Sequence, residues 1–209
     1  MSFADRTEAG HRLGTELTER GVGGDIVLAI PRGGLPLGRA VADTLDLPLD
    51  IVVAKKIGAP HNPEYAIGAV ASDGSVWLNE DAIETLDIDT AYLDGERTEM
   101  ATAAREKEQR YRGDREPPTI EGKTVLIVDD GIATGATVRA CIERLTNAGT
   151  DRVVLAVPVG SPQTIDALRS MVDTVVCLET PPNFRAVGQF YDRFDQVQDE
   201  QAMTYLNRS

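Results

Sequence analysis

Two adjacent aspartates, Asp129 and Asp130, follow an apolar run in the stretch VLIVDDGIATGATV, which spans residues 125–138. They stand directly before a loop of glycine, threonine and other small residues. At the start of a helix, free backbone amides and the positive end of the helix dipole bind a phosphate without any lysine. The two carboxylates would then face another part of the same ligand, most simply vicinal hydroxyl groups. This combination predicts a site for a phosphorylated sugar.

The loop after the aspartates supplies the phosphate-binding half of this prediction. Gly131 and Gly135 let the backbone approach an anion closely, and Thr134 and Thr137 can add hydroxyl donors. Other phosphate motifs fit less well, because a Walker A loop requires a lysine where this chain has Ala136, and the glycine spacing of a dinucleotide fingerprint is absent. Considered without the loop, the acid pair has a purely structural alternative. The strand would then simply end in two solvated acids before a tight turn.

Two further segments carry residue types that suit a second anion. In AIPRGGLPLG, Gly33 and Gly34 lack side chains that would block a diphosphate, and Arg32 offers a charged fork. Lys55 and Lys56 are half of all the lysines and are predicted to end a strand, where one of the two would face the ligand. The alternative for the Arg-Gly-Gly segment is an ordinary turn, and the alternative for the two lysines is a solvated strand end.

A Gly- and Pro-containing segment at 58–68, GAPHNPEYAIG, is predicted as a loop. It carries His61, Glu64 and Tyr65, which are the candidates for proton transfer in this region. Together with Asp129 and Asp130, Glu64 is assigned to catalysis. For His61, Glu64 and Tyr65 the alternative is an exposed loop position without a functional role.

The chain as a whole alternates strands and helices, which predicts an α/β fold. Apolar strands without polar alternation favour a central, mostly parallel sheet with helices on both faces. In such a sheet a ligand binds at the carboxyl ends of the strands, where the aspartate pair is predicted. A hairpin turn is predicted around Asp73 and Gly74. The predicted strands are 25–30, 49–56, 123–130, 151–159 and 173–180, and the predicted helices are 4–20, 33–43, 79–86, 90–112, 135–148 and 162–170.

The charge balance argues against a nucleic-acid-binding protein. Lys+Arg 21 against Asp+Glu 34 gives a net charge of −13, whereas a general nucleic-acid binder is basic. An acidic, lysine-poor surface suits concentrated salt, so a halophilic source is our hypothesis, to be tested by loss of structure at low salt. No apolar stretch suggests a signal peptide or a membrane span, and the two cysteines form no disulfide framework. We therefore expect a reduced, cytoplasmic protein.

The segment from 125 to 137 resembles the ribose-phosphate binding motif of the type I phosphoribosyltransferases, which has a short apolar strand, two acids and a small-residue loop with Thr-Gly and a later Thr. The resemblance implies that Asp129 and Asp130 engage the ribose hydroxyls of phosphoribosyl diphosphate (PRPP). It also implies which residues bind the 5-phosphate of PRPP: Gly131, Ile132, Ala133, Thr134, Gly135, Ala136 and Thr137.

Less specific similarity to this family continues along most of the chain. It implies a phosphoribosyltransferase core at 1–180, with a flexible β-hairpin loop at about 58–78 that closes over the reacting centre and a helical insertion at about 79–112. A small C-terminal hood at 181–209 would bind the acceptor. The diphosphate-binding residues would be Arg32, Gly33, Gly34, Lys55 and Lys56, and the acceptor-binding residues would be Phe184, Phe190 and Tyr191.

The expected activity is transfer of phosphoribose from PRPP to a nitrogen acceptor, with a nucleobase as the expected acceptor and diphosphate as the second product. Magnesium is expected as a cofactor held mainly through PRPP, because the sequence shows no cluster of protein ligands. A homodimer is expected, with the 90–112 helix as a candidate contact. The alternative is a regulatory protein that binds PRPP and has little or no transferase activity, and the motif does not distinguish the two.

The position of Ala133 bears on the acceptor. Members of the family that use 6-oxopurines commonly carry an acid there, and alanine neither donates, accepts nor titrates. The loop DDGIATGAT is therefore more similar to those of adenine-, uracil- or orotate-using members, whereas the segment NFRAVGQFY resembles the hood of purine-using members. We expect any acid–base assistance to come from Glu64 or from the hood backbone.

Overall fold

A computed structural model describes residues 2–207, which divide into two compact units. The sheet unit comprises Met1–Val52, Pro118–Ala133 and Gly149–Ser209, and the hairpin unit comprises Val53–Pro117 and Thr134–Ala148. The strands are β1 (Ile26–Ala29), β2 (Leu49–Ile51), β3 (Ala54–Ala59), β4 (Asn62–Ala71), β5 (Val76–Leu78), β6 (Thr124–Val128), β7 (Arg152–Val159) and β8 (Thr174–Glu179). The helices are α1 (Arg6–Glu19), α2 (Gly34–Leu45), α3 (Glu80–Thr85), α4 (Thr90–Arg112), α5 (Ala136–Asn147), α6 (Pro162–Leu168) and α7 (Asp199–Leu206).

The sheet unit is built on five parallel strands in the order β2-β1-β6-β7-β8. β1 is buried along its whole length, and β6 is buried from its second residue, as expected for strands that are covered on both faces. Helix α1 packs against β7 and β8, and α2 packs against β1, β2 and β6. The predicted central parallel sheet is therefore confirmed, and β6 lies at its centre. No helix within residues 2–207 is long and apolar enough to cross a membrane.

The prediction of one continuous strand at 49–56 is wrong, because the structure divides this segment into two strands that belong to different units. β2 ends at Ile51 and belongs to the parallel sheet, while β3 begins at Ala54 and pairs antiparallel with β4. The apolar run from Ile51 to Ala54 is buried throughout, so its hydropathy contains no sign of the division. As a result Lys55 and Lys56 lie at the start of the hairpin unit, paired with Val70 and Ala69, and do not end a parallel strand.

Three antiparallel strands, β3, β4 and β5, form the sheet of the hairpin unit. The hairpin turn predicted at Asp73 and Gly74 is confirmed, with Gly74 at φ 97° and the Asp73 carboxylate accepting from the Ser75 amide. The loop predicted at 58–68 is wrong for most of the segment, because only Pro60 and His61 form the turn between β3 and β4. Gly58 lies where the pairing register shifts, and Pro63 lies in the irregular first part of β4, between the paired residues Asn62 and Ala66.

A buried ion network joins the two long helices of the hairpin unit. Both carboxylate oxygens of Glu108 on α4 accept from Arg144 on α5, at 2.9 and 3.1 Å, and one also accepts from Arg112 at 2.6 Å. Arg144 donates in addition to the Ser72 hydroxyl. Burial alone raises the pKa of Glu108, but the hydrogen bonds from Arg144 and Ser72 and the charges of Arg144 and Arg112 outweigh it, so the pKa lies below its usual value.

We predict that Glu108→Gln lowers the free energy of unfolding by on the order of 3 kcal/mol at neutral pH, because two guanidinium groups lose a buried carboxylate partner. A carboxylate with a lowered folded-state pKa stabilises the protein above its unfolded pKa, near 4.5, and that contribution is lost as the pH falls through the folded-state value. The stability difference between wild type and variant should therefore be complete above pH 4.5 and shrink below it.

Chemical denaturation of both proteins from pH 7 to pH 3 measures this difference. Glu106→Gln is the matched control, because Glu106 lies on the same helix and is exposed to solvent. A pH-independent difference for Glu108→Gln, or an equal loss in the control, would contradict the assigned role of the ion network.

Candidate functional site

The two aspartates lie at the carboxyl end of the central strand β6, as predicted. The Asp130 amide donates to Oδ1 of Asp129 at 2.8 Å, so the two residues form a compact turn as the chain leaves the sheet. The Asp130 side chain is only 15% exposed. Burial raises its pKa, and the charge and hydrogen bond of Arg6 oppose that increase without cancelling it. A largely desolvated carboxylate with a raised pKa at this position is a candidate for contact with a polar ligand.

Two residues far away in the sequence hold Asp130. Arg6, in the first turn of α1, donates from Nε to Oδ2 of Asp130 at 2.8 Å. The Tyr191 hydroxyl donates to the Asp130 backbone carbonyl at 2.6 Å, and Tyr191 as a residue is 7% exposed. Sequence analysis did not identify Arg6, because an arginine in a polar, amphipathic helix carries no local pattern that distinguishes it from a solvated one.

The loop before α2 meets the aspartate pair inside the sheet unit, which explains the glycines at 33 and 34. A Cβ atom on Gly33 would lie 2.0 Å from Oδ2 of Asp130, and one on Gly34 would lie 2.7 Å from the Val128 carbonyl oxygen. Gly33 has a helical φ of −59°, so its lack of a side chain makes room for the carboxylate and not for an unusual backbone. Arg32 is 35% exposed at the side chain, with Nη1 3.8 Å from Asp199.

The first half of the predicted phosphate loop is attached to the parallel sheet. The Ile132 amide donates to the Val159 carbonyl at 3.0 Å, and the Ile132 carbonyl accepts from Ser161 at 2.9 Å. The Thr164 hydroxyl donates to the Ala133 carbonyl at 2.7 Å. Since the Ile132 amide is engaged and its side chain is buried, the amides available to an anion must come from other residues of the loop.

The second half of the loop opens helix α5 in the hairpin unit. Gly135 adopts a left-handed conformation with φ 74°, which only glycine adopts without strain, and it precedes the first helical residue, Ala136. No side chain caps the helix, and its first turn contains no acidic residue. Thr134 is exposed and Thr137 is half-buried, so both hydroxyls lie in a segment with free helix-start amides. This arrangement suits an anion.

The remaining diphosphate and catalytic candidates of the sequence analysis lie on β3 and β4. Lys55 is half-buried and Lys56 is exposed, and Lys56 Nζ lies 3.5 Å from Oε2 of Glu64. The Glu64 side chain is 91% exposed. The nearby turn residue His61 and Tyr65 help to line a cavity of 570 Å³ in the hairpin unit. The ion pair holds Glu64 only weakly, since both partners are in water.

Three aromatic residues were predicted to bind the acceptor, and the structure separates them into two environments. Phe184 and Phe190 are half-buried and stack on each other, with ring centroids 5.5 Å apart and planes inclined by 21°. Tyr191 instead lies in the core, where its ring contacts Phe3 and Phe194 at centroid distances of 5.4 and 4.9 Å. Its faces are thus covered by other rings, and its hydroxyl is bonded to Asp130.

Within residues 2–207, no group of three or more His, Cys, Asp or Glu side chains gathers in a way that could hold a metal ion. The polar groups of the acid pair and the loop after it are carboxylate, hydroxyl and backbone groups. These offer hard oxygen atoms, which suit a magnesium ion carried mostly by a phosphorylated ligand.

Comparison with known proteins relates the whole chain to one family. The model of the phosphoribosyl transferase domain matches residues 11–195. A Mycobacterium tuberculosis H37Rv protein named "Putative phosphoribosyl transferase Rv0571c" is 39% identical over 207 residues, which cover 99% of this chain and 47% of that protein. The chain therefore spans about half the length of this curated relative.

Two solved structures extend the comparison. The TT1426 protein from Thermus thermophilus superposes with a TM-score of 0.84 at 39% identity, covering 99% of this chain and 98% of that one. A purine phosphoribosyltransferase from Pyrococcus horikoshii superposes with a TM-score of 0.50 at 17% identity, covering 92% of each chain. The second likeness concerns the fold alone.

We predict that Gly33→Ala displaces the Asp130 carboxylate and destabilises the protein by about 1–3 kcal/mol, because the new methyl group would overlap Oδ2. Thermal unfolding measures the loss of stability, and a PRPP titration measures the weaker binding that a displaced carboxylate should cause. Gly23→Ala is the matched control, since a Cβ there meets no atom within 4 Å. Wild-type stability and affinity in Gly33→Ala would contradict the close packing of these two residues.

Proposed function

The chain belongs to the phosphoribosyl transferase family, and from this premise we propose that it transfers the phosphoribosyl group of PRPP to a nitrogen acceptor and releases diphosphate. The observation that supports the proposal most directly is the acid pair at the end of β6, followed without interruption by the loop that opens α5. Carboxylates and an anion-binding loop in direct succession match the two ends of ribose 5-phosphate.

The ribose hydroxyls are assigned to Asp129 and Asp130. Charge-assisted hydrogen bonds from hydroxyl groups to carboxylates are strong and directional, so the pair would orient the ribose ring. Asp130 is already held in place by Arg6 and by the space that Gly33 leaves. A carboxylate that is fixed before binding loses little further freedom when the ligand arrives.

The 5-phosphate is assigned to the loop 131–137. Because the Ile132 amide is committed to β7, the donors are expected to be the amides at the start of α5 and the hydroxyls of Thr134 and Thr137. Gly135 provides the left-handed turn that directs these amides outward. The diphosphate is assigned to Arg32 and the Gly33 amide, because the Gly34 amide donates to the Ile30 carbonyl at 3.0 Å. Lys55 and Lys56 remain predicted diphosphate contacts.

The reaction breaks the bond between the ribose C1 atom and the diphosphate oxygen, which leaves with the bonding electrons. The acceptor nitrogen forms the new bond to C1 and gives up a proton. Positive charge develops on the ribose between these events, and the fixed carboxylates Asp129 and Asp130 would stabilise it electrostatically while the loop holds the sugar in position. Bound magnesium would neutralise charge on the departing diphosphate.

For the acceptor, we assign Phe184 and Phe190 as the aromatic surface, because both rings are half-buried and lie beside each other. Tyr191 is assigned a supporting role, since its ring is enclosed and its hydroxyl binds the Asp130 carbonyl. Ala133 offers no side-chain acid to a base. Glu64 is the candidate for proton transfer, and a nucleobase is the acceptor class that a planar aromatic surface favours.

A diphosphate-release assay tests the proposed activity. It combines the protein with PRPP, magnesium and, one at a time, adenine, uracil, orotate, hypoxanthine and guanine. Release that depends on one acceptor would support the transferase. Tight PRPP binding by calorimetry without release for any acceptor would favour the regulatory alternative, and absence of PRPP binding would refute both.

We predict that Asp130→Asn lowers the turnover rate by roughly 10²-fold or more, as the loss of an oriented charge at a reacting centre does. The fold should remain intact. Asparagine removes a carboxylate whose ionised form is disfavoured by burial, but Arg6 also loses its charged partner, so the two effects oppose each other and the melting temperature should change little.

Steady-state kinetics and thermal unfolding of the Asp130→Asn variant check both parts of this prediction. Asp166→Asn is the control, because Asp166 is 80% exposed on α6 in the same unit. Unchanged turnover in Asp130→Asn would remove Asp130 from the proposed mechanism.

We predict that Glu64→Gln lowers the turnover rate by about 10²-fold with the preferred acceptor, because general acid–base catalysis contributes at least that much. Glu84→Gln serves as control, since Glu84 is an exposed residue on α3. Efficient turnover of hypoxanthine that Glu64→Gln leaves unaffected would instead assign proton transfer to another group.

A further inference from the structure

We propose that Arg6 is a positioning residue for Asp130, and that through Arg6 the two terminal segments of the sheet unit set the orientation of the ribose-binding carboxylate. The inference rests on the proposed function, because it assumes that Asp130 binds ribose. It concerns residues that lie outside the motif, and it is argued from their contacts.

The Arg6 guanidinium is held on three sides. Its Nε donates to Oδ2 of Asp130 at 2.8 Å, and its Nη1 donates to the Asp195 carbonyl at 2.8 Å. Its Cζ lies 3.8 Å from the centroid of the Phe194 ring, a cation–π contact. The Arg6 side chain is 12% exposed. A planar guanidinium with two hydrogen bonds and a stacking surface has little freedom to rotate.

The segments that carry Arg6 and Phe194 are themselves joined by backbone hydrogen bonds. We call residues 3–6 and 190–195 the terminal clasp. The Phe3 amide donates to the Phe190 carbonyl at 2.7 Å, the Asp192 amide to the Phe3 carbonyl at 2.8 Å, and the Arg193 amide to the Ala4 carbonyl at 3.1 Å. Phe3 is fully buried against Tyr191. The clasp is therefore an ordered part of the core.

The clasp reaches Asp130 at two points, the side chain and the main chain. Arg6 holds the carboxylate, and the Tyr191 hydroxyl donates to the Asp130 carbonyl at 2.6 Å. Gly33 lies on another side, where a side-chain atom would collide with Oδ2. In these contacts Oδ2 accepts from Arg6 and the backbone carbonyl accepts from Tyr191. The arrangement thus fixes the orientation of the carboxylate from its own side chain and from its main chain.

Without Arg6 the carboxylate would lose its orientation and its compensating charge together. Burial already raises the pKa of Asp130, and Arg6 is the group whose charge and hydrogen bond lower it. A carboxylate that is free to rotate, or partly protonated, binds a ribose hydroxyl less well. The proposed role differs from a general contribution to folding, because its effect on ligand binding must pass through Asp130.

A set of five proteins tests this role: wild type, Arg6→Gln, Arg6→Lys, Asp130→Asn and the double variant Arg6→Gln/Asp130→Asn. Calorimetric titration with PRPP and magnesium gives the affinity, and thermal unfolding gives the stability of each. Arg193→Gln is the matched control, because Arg193 belongs to the same clasp but pairs with Asp5 at a side chain that is 70% exposed.

We expect Arg6→Gln to weaken PRPP affinity by roughly 10- to 100-fold, the range found when a residue that orients another site residue is removed. Arg6→Lys should recover part of the loss, since it keeps the charge but not the planar fork. Arg193→Gln should match wild type. In the Asp130→Asn background, Arg6→Gln should cause little additional loss of affinity, because the residue on which it acts has already been changed.

The outcomes separate this inference from the proposed function. Wild-type affinity in Arg6→Gln, or losses that simply add in the double variant, would overturn the positioning role. Wild-type affinity in Asp130→Asn would instead refute ribose binding by Asp130 and with it the proposed site. Additive changes in melting temperature would show that Arg6 and Asp130 are not coupled, even without PRPP. If Arg6→Gln does not fold, the PRPP affinity of Arg6→Lys is compared with that of wild type and of the Arg6→Lys/Asp130→Asn double variant in the same way.

Discussion

Burial of a carboxylate at the end of the central strand is a constraint that several distant parts of the sheet unit meet together. Removing an ionised group from water is costly unless charge and hydrogen bonds compensate. Asp130 is compensated by a guanidinium from α1, it is packed against a position that lacks a side chain, and its carbonyl is engaged by a tyrosine from the C-terminal segment. Three distant parts of the chain are therefore ordered around one side chain. Residues 3–6 and 190–195 are part of the core of the sheet unit, and they supply two of these partners, Arg6 and Tyr191.

The parts of the site that could be predicted from sequence are those whose residues are close together along the chain. The acid pair, the loop and the start of α5 are contiguous, so residue types and spacing were enough to place them correctly at the end of a parallel strand. Gly33 was identified for its missing side chain, although the structure assigns the space to Asp130. Arg6 is 124 residues from Asp130, and neither has a local pattern that indicates the other. The division between β2 and β3 was also hidden, because buried apolar residues continue through it.

Helix α5 combines a start that is left open with a body that is firmly anchored. Its first turn has no capping side chain and no acidic residue. The helix therefore lacks the stabilisation of about 1 kcal/mol that an ordinary N-cap residue contributes. Further along, Arg144 binds both oxygens of Glu108 and the Ser72 hydroxyl within the hairpin unit. Open amides are useful to an anion only if the helix that carries them does not move away. The ion network therefore stabilises the element whose terminus is proposed to bind phosphate, and the two features are complementary.

Glu108 and Asp130 are two carboxylates with little exposure whose pKa values shift in opposite directions. Glu108 has two arginines and a hydroxyl, so its pKa falls and its ionised form stabilises the fold. Asp130 has one arginine, whose charge and hydrogen bond do not offset desolvation, so its pKa rises and its ionised form costs stability at neutral pH. A structural carboxylate in that position would gain from a further donor, and a ligand hydroxyl is the donor that the proposed function would supply. Incomplete compensation is thus consistent with the proposed role of Asp130, since a carboxylate whose oxygen atoms were all engaged within the protein could not also bind a ribose hydroxyl.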